Sequence, residues 1–361
     1  MMIPLFENKP SCFGCSACRE VCPVGAIRME PDAEGFLYPV ADPEQCVGCG
    51  RCADICPGKK PVTGYDGQAY AVRCKDTQLL KDSTSGGAFS LLAEPVLEEG
   101  GLVCGAVFAE DFRVRHVLSR EIGPMRKSKY VQSDLQDSYG QIRQALAQGK
   151  QVLFTGTPCQ CDAMRSLFGE QTEGLILAAL VCRGVQSPGL WKDYVNFLSR
   201  DGKLQQYCFR DKQTRNDGHT VSYTVDGNRS TVSMEKDAFS RLYMKTITLR
   251  PSCYRCPYTR WDLPFDLTIG DFWGIEKAHP QLADGMGTSL VIVRTPKGRQ
   301  LLEKVGDRGL ILECSRDAAL QPSLKEPPKE TILRKLLFRD FSGKDASGSS
   351  NIPLILKKYG G

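Results

Sequence analysis

Apolar runs alternate with amphipathic stretches along most of the chain, and the alternation predicts strand and helix in turn. "TSGGAFSLLAEPVLEEG" has a Ser/Thr start, a helical apolar pattern and a closing glycine. "LVCGAVFAEDFRVRHVLSR" reads as a hairpin, "SYGQIRQALAQGK" as a helix and "QVLFTG" as a buried strand. "PCQCDAMRSLFG" turns into another helix, "LILAALVC" is strand-like, and "SPGLWKDYVNFLSRDG" is a capped helix. Further on, "DLTIGDFWG" and "TSLVIVRT" read as strands, and a proline opens a helix at "PKGRQLLEKV". Such an order predicts an α/β body built on a mixed rather than purely parallel sheet. From about residue 322 the chain is polar and basic. One helix is expected at "KETILRKLLFRDF", followed by a loose tail through "SGKDASGSS".

The first sixty residues follow a different pattern. "SCFGCSACREVCP" (11–23) and "QCVGCGRCADICP" (45–57) are one motif written twice, C-x2-C-x2-C-x3-C-P. The x2 spacing lets three thiolates point inward from one turn, and in two-cluster ferredoxins the fourth comes from the other motif. Applied here, Cys12, Cys15, Cys18 and Cys56 would hold one 4Fe–4S cluster, and Cys46, Cys49, Cys52 and Cys22 the other. A zinc ribbon also uses paired C-x2-C, but eight cysteines in this triple spacing over-supply a four-ligand ion. Gly48, Gly50 and Ala53 satisfy G-x-G-x-x-A, yet they sit inside a cysteine loop rather than between strand and helix, so no dinucleotide site is expected there.

Composition bounds the rest. At 361 residues, 41% hydrophobic and 25% charged, the chain has the profile of a soluble globular protein with two or three domains. A net charge of +5 is mild and argues against nucleic acid, leaving ordinary surface charge with an acidic redox partner at most. The N-terminus lacks the basic and apolar regions of a signal peptide, and the longest apolar run, 174–182, is too short for a membrane span. A cytoplasmic location is expected. Seventeen cysteines in a reducing compartment suit metal ligation better than disulfides.

Nine cysteines lie outside the two quartets. Cys74, Cys104, Cys208 and Cys314 stand alone in apolar surroundings and read as ordinary buried cysteines. Cys159 in "GTPCQC" and Cys182 in "ALVCRGV" each follow a predicted strand, where loops gather on one sheet edge. Cys253 and Cys256 in "PSCYRCPY" add a further pair. Together Cys159, Cys182, Cys253 and Cys256 suit a third 4Fe–4S cluster, with a zinc clip or a redox dithiol as alternatives.

"STSGGAFSLL", "KSKYVQSD", "LFTGTPCQ", "LVCRGVQSP", "PSCYRCPY", "IGDFWG" and "GTSLVIV" occur in the order found in the beta-subunit family of coenzyme F420 (deazaflavin) hydrogenases and dehydrogenases, which the chain resembles over residues 68–320. Relatives include the flavoprotein that reduces hydroxymethyl chlorophyll and the electron-input half of a deazaflavin-dependent sulfite reductase. The resemblance implies an α+β or α/β architecture: a small bacterial ferredoxin-type two-cluster module, then a mixed-sheet α/β flavoprotein body. Boundaries follow at 1–62 for the module, 68–150 for a flavin-binding region, 151–320 for a region with the third cluster, and 321–361 for a basic helix and tail, with 57–67 as linker. It also implies FAD or FMN, with contacts from Ser85, Gly86 and Gly87, from Lys129, Tyr130, Gln132 and Ser133, and from Thr155, Gly156 and Thr157. Read alone, "SGG" is a plain N-cap and "KYVQS" an edge strand. Asp271 is a further polar candidate, and none of His116, His219 and His279 stands out as a base.

The implied activity is that of an iron–sulfur flavin-dependent oxidoreductase. It would pass electrons between a ferredoxin or other redox protein, or a reduced deazaflavin or nicotinamide, and a small acceptor. The alternative is an electron-transfer subunit that wires a separate catalytic partner.

Overall fold

The computed structural model describes residues 5–169, 172–215, 217–342 and 351–361. Its strands are β1 (Ile27–Pro31), β2 (Leu37–Ala41), β3 (Gln68–Cys74), β4 (Leu102–Phe108), β5 (Val114–Ser119), β6 (Val152–Gly156), β7 (Leu175–Leu180), β8 (Leu204–Cys208), β9 (Thr220–Val225), β10 (Asn228–Ser233), β11 (Leu267–Asp271), β12 (Ser289–Val293) and β13 (Gly309–Cys314). Eight of them form one mixed sheet in the order β13-β3-β12-β11-β7-β6-β4-β5. β4, β6, β7 and β11 pair in parallel, while the pairings at both edges are antiparallel.

The central strands are short, apolar and covered on both faces. β6 and β12 are buried at every position, as expected for strands between two helical layers. Alternate residues serve opposite cores. Leu153 and Ile176 pack with the helix Ala88–Glu98 on one face. Val152, Phe154, Leu175 and Leu177 pack with the helices Ser138–Ala147 and Pro158–Phe168 on the other. Strands from both 68–150 and 151–320 are interleaved in this one sheet.

A second sheet, β10-β9-β8, packs with the helix Pro188–Leu198 around Trp191, Tyr194, Tyr207 and Phe239. The C-terminal region joins this core. Beyond the expected helix, Ile332–Ser342, a further helix spans Ile352–Tyr359 and buries Ile352, Ile355 and Tyr359, so the end of the chain is not loose. Residues 343–350, most of the Ser/Gly patch, lie outside the described residues.

Two further details depart from the sequence reading. The helix Ala88–Glu98 starts behind Gly87, whose φ is +86°, with no Ser/Thr side-chain cap. The segment 129–133 is not an edge strand; it meets 186 through a single bridge at Val131.

The N-terminal module is a β1–β2 hairpin with two short helices, Ala17–Glu20 and Arg51–Asp54, each inside one cysteine repeat. It is strapped to the body. Gly35 and Gly189 approach so closely that a Cβ on Gly35 would lie 2.5 Å from the Gly189 Cα. Arg334 forms an ion pair with Glu34, and Phe13 packs edge-on to Tyr258 at 5.5 Å. The proline-rich stretch after Cys56 lies along the body, with Tyr65 bridged to Leu263. Among the described residues no helix is long and apolar enough to cross a membrane.

Candidate functional site: cysteine nests and a cleft

The crossed pairing of the two N-terminal motifs is present in the fold. Cys12, Cys15, Cys18 and Cys56 line one small cavity, and Cys22, Cys46, Cys49 and Cys52 line another. In the first nest all six thiol pairs are close enough to oppose each other's ionisation. Burial pushes the Cys15 thiol well up and Cys18 to about 12, and neighbouring thiolates add to both shifts. Four thiols packed this closely form a donor set whose ionised form a compensating metal centre would stabilise. The observed residues therefore fit a thiolate-held cluster.

The four body cysteines also converge. Cys159 sits in the first turn of the helix Pro158–Phe168 rather than on a loop. That helix start is closed by a reciprocal cap between Thr157 and Gln160, and the Thr157 hydroxyl lies 3.3 Å from the Cys159 sulfur. Cys182 follows β7, and the Gly184 N–H donates to its sulfur at 3.3 Å. Cys253 and Cys256 flank the end of the 3-10 turn Pro251–Arg255. All six pairs among these thiols are mutually repulsive as thiolates. Burial comes first among the causes that raise each, with Cys253 reaching about 11. Among the described residues no three His, Cys, Asp or Glu side chains are grouped as they would be around a single ion.

Beside this nest lies a cleft of about 270 Å³ at the carboxyl ends of β6, β7 and β11. Its lining brings together Ser85, Gly87, Lys129, Tyr130, Ser133, Thr155, Gly156 and Thr157, and Cys182 forms part of the same wall. Two predicted residues lie elsewhere. Gly86 is pressed against the sheet: a Cβ there would be 2.3 Å from the Val72 carbonyl oxygen, and its own carbonyl accepts from the Cys74 N–H. Gln132 turns to the module, donating to the Phe13 carbonyl at 3.0 Å.

The cleft's polar groups are held firmly. Lys129 donates to the carbonyls of Arg126 and Lys127 at 2.9 and 3.2 Å, and burial lowers its pKa to about 8. Tyr130 stacks on Tyr243 at 4.5 Å. The Tyr130 hydroxyl accepts from Arg210, which also pairs with Asp271 at 3.0 Å. The Ser128 N–H donates to Thr84 Oγ1, tying the glycine-rich turn to the basic segment.

Sequence reasoning passed over His116. It is buried, lines the cleft and stacks on Phe154, and its Nε2 lies 2.9 Å from the Thr155 carbonyl oxygen. A carbonyl can only accept, so Nε2 carries the proton and Nδ1 is left without a partner. Burial lowers this imidazole to about 4 and keeps it neutral. Thr84, Arg126 and Lys127 were likewise missed; the basic run "MRKSK" was the available signal.

Paired cysteine nests in front of a mixed α/β sheet define an iron–sulfur electron-transfer protein. Residues 11–59 match a 4Fe-4S dicluster domain, and residues 149–318 match the family described as the C terminus of the coenzyme F420 hydrogenase/dehydrogenase beta subunit. Along the chain, a segment similar to a 4Fe–4S dicluster domain is thus followed by one similar to the C-terminal region of this beta-subunit family. Among solved structures it is similar to a chain of the F420-reducing NiFe hydrogenase complex from Methanosarcina barkeri. The two are 21% identical, with 77% of this chain and 89% of the other covered at a TM-score of 0.46. No curated protein matches it.

Proposed function

We propose that the protein is an iron–sulfur flavoprotein oxidoreductase in which the cysteine nests lead electrons to or from a flavin held in the cleft. The observation that carries this reading is Cys182, which belongs both to the four-thiol body nest and to the cleft wall. A centre held by Cys159, Cys182, Cys253 and Cys256 would therefore adjoin any molecule in the cleft. When bound, a flavin exchanges electrons singly with clusters and in pairs with hydride donors.

The chain's own residues suit that ligand. The N-terminus of the helix Ala88–Glu98 opens on the cleft through Gly87, and its first-turn N–H groups favour a phosphate. Tyr130 and the protonated Nε2 side of His116 are fixed by partners, so polar and ring contacts are held in place before a ligand arrives. Lys129 braces the 125–127 turn that forms one rim. In the second reading the chain wires a separate catalytic partner, as the description of its C-terminal family as a beta subunit suggests.

Anaerobic reconstitution followed by iron and flavin assay separates these readings. About twelve irons and one flavin per chain are expected. Turnover of a small acceptor by the isolated chain supports the enzyme; flavin reduction without turnover supports the wiring subunit. Replacing Cys253 and Cys256 with serine should remove about a third of the iron and disconnect flavin from donor. Eight irons and no flavin in the wild-type chain would refute the proposal.

A further inference from the structure

Three arginines are buried among the described residues: Arg210, Arg250 and Arg334. Two of them face a carboxylate, Asp271 for Arg210 and Glu34 for Arg334. Arg250, only 1% exposed, does not. Its Nε donates to the Cys12 carbonyl at 2.8 Å, Nη1 to Gln132 Oε1 at 2.9 Å, and Nη2 to the Leu37 carbonyl at 3.0 Å. Nη2 also points at the Cys12 sulfur, 3.6 Å away. The guanidinium lies over the Tyr38 ring, 4.2 Å from its centroid.

Burying a charge without a counter-charge is strongly unfavourable. Carbonyl oxygens satisfy its N–H groups but leave its net charge unbalanced. The anion this site can supply is the cysteine nest itself. The fold clears space for the contact: Gly14, inside the first cysteine repeat, has φ +66°, and a Cβ there would lie 2.7 Å from Arg250 Nη1. Arg250 also stands between the two kinds of nest. Its carbonyl accepts from the Cys253 N–H at 2.9 Å.

We propose that Arg250 is the charge partner of the nest formed by Cys12, Cys15, Cys18 and Cys56, a positioning residue that favours the reduced state of the cluster held there. The inference rests on the ligand set assigned above. A one-electron donor of the reduced-ferredoxin class would add one electron to a cluster held there, with no bond changed and no proton moved. The added negative charge falls beside a fixed cation in a medium of low polarity, where the attraction is weakly screened. Gln132 accepts from Nη1 and donates to the Phe13 carbonyl, so a charge placed at this side chain would lie against the guanidinium.

The test is an EPR-monitored potentiometric titration of the reconstituted full chain. Gln132→Glu keeps the shape but sets a carboxylate against Arg250, whereas Gln132→Leu removes the tether and leaves the charge. Arg250→Gln removes the charge outright. Gln132→Glu and Arg250→Gln should each lower the midpoint potential of the adjacent cluster by a tenfold change in its oxidised-to-reduced ratio, about 59 mV for a one-electron couple. The other dicluster signal, assigned by its loss in Cys49→Ser, should move by less than half as much, and Gln132→Leu should leave both in place. An unshifted potential in Gln132→Glu, or an equal fall in Gln132→Leu, overturns the proposal. Should Arg250→Gln not fold, the isosteric Gln132→Glu decides alone. A wild-type chain without two cubane signals overturns the ligand set, a failure distinct from clusters that are present but unshifted.

Discussion

The two cysteine repeats are near-copies in sequence and opposites in surroundings. The nest of Cys12, Cys15, Cys18 and Cys56 faces the body. Arg250 lies against it, the Tyr139 hydroxyl donates to the Cys15 carbonyl, and Phe13 meets Tyr258. The nest of Cys22, Cys46, Cys49 and Cys52 faces outward, with Cys49 exposed and neighbouring Val47 64% exposed. On the proposed function, one motif would serve as an outward electron port and as an inward relay. The cysteines themselves do not distinguish these roles; what packs on them does.

Several experiments break or sharpen this contrast, the largest effect first. Cys56→Ser should abolish the inward cluster and stop electrons reaching the cleft, whereas Cys22→Ser should abolish the outward one. Each should lose about four irons per chain, read by iron assay and EPR. The reverse assignment would show that ligands do not cross between repeats.

Gly14 and Gly25 share φ +66°, but a Cβ at Gly25 would meet nothing within 4 Å. Gly25→Ala should therefore cost only the left-handed backbone penalty, about 1–2 kcal/mol. Gly14→Ala should cost distinctly more in denaturant unfolding, because Arg250 must also move. Equal costs would mean that the arginine is not held in place.

Buried cations differ too. An arginine guanidinium is in general always protonated, while Lys129 can shed its proton, since burial lowers its pKa to about 8. The unfolded chain holds that proton up to about pH 10.4. Stability should therefore rise between about pH 8 and 10.4, with a slope of at most ~1.4 kcal/mol per pH unit from this group. In Lys129→Met that component should vanish, as the difference between the two unfolding profiles would reveal. Smallest of all, Tyr139→Phe should cost about 1 kcal/mol for the lost hydrogen bond to the Cys15 carbonyl. It should affect the inward nest's thermal release of iron but not the outward one's.

Much of the fold was legible because apolar runs in an α/β body are short and flanked by clear turn chemistry. "QVLFTG" became β6, and "SPGLWKDYVNFLSRDG" became a helix capped by Ser187, whose hydroxyl accepts from the Leu190 N–H. Failures occurred where tertiary contacts overrode local signals. Ile352–Tyr359 is a helix because Ile352, Ile355 and Tyr359 find the core around Trp191, a partner that nothing in its immediate neighbourhood announces. Gly86 and Gln132 share motifs with cleft residues, yet the chain turns each toward other neighbours, the sheet and the module.

Sequence alone determined the donor chemistry. Cysteines with two residues between them share one turn, so the spacing already brought three thiols of each N-terminal nest together and called for a fourth from the other repeat. Strand, turn and helix order likewise followed from the period of apolar residues. Tertiary structure decided which nest faces inward, what charge stands beside it, and that segments around residues 85, 130, 155 and 182 share one cleft. Those outcomes depend on the packing of residues far apart in the chain, and no local pattern encodes such contacts. Arg250 is the clearest case: in "LRPSCYRC" it is one basic residue among several, and only the fold places it, buried, against Cys12.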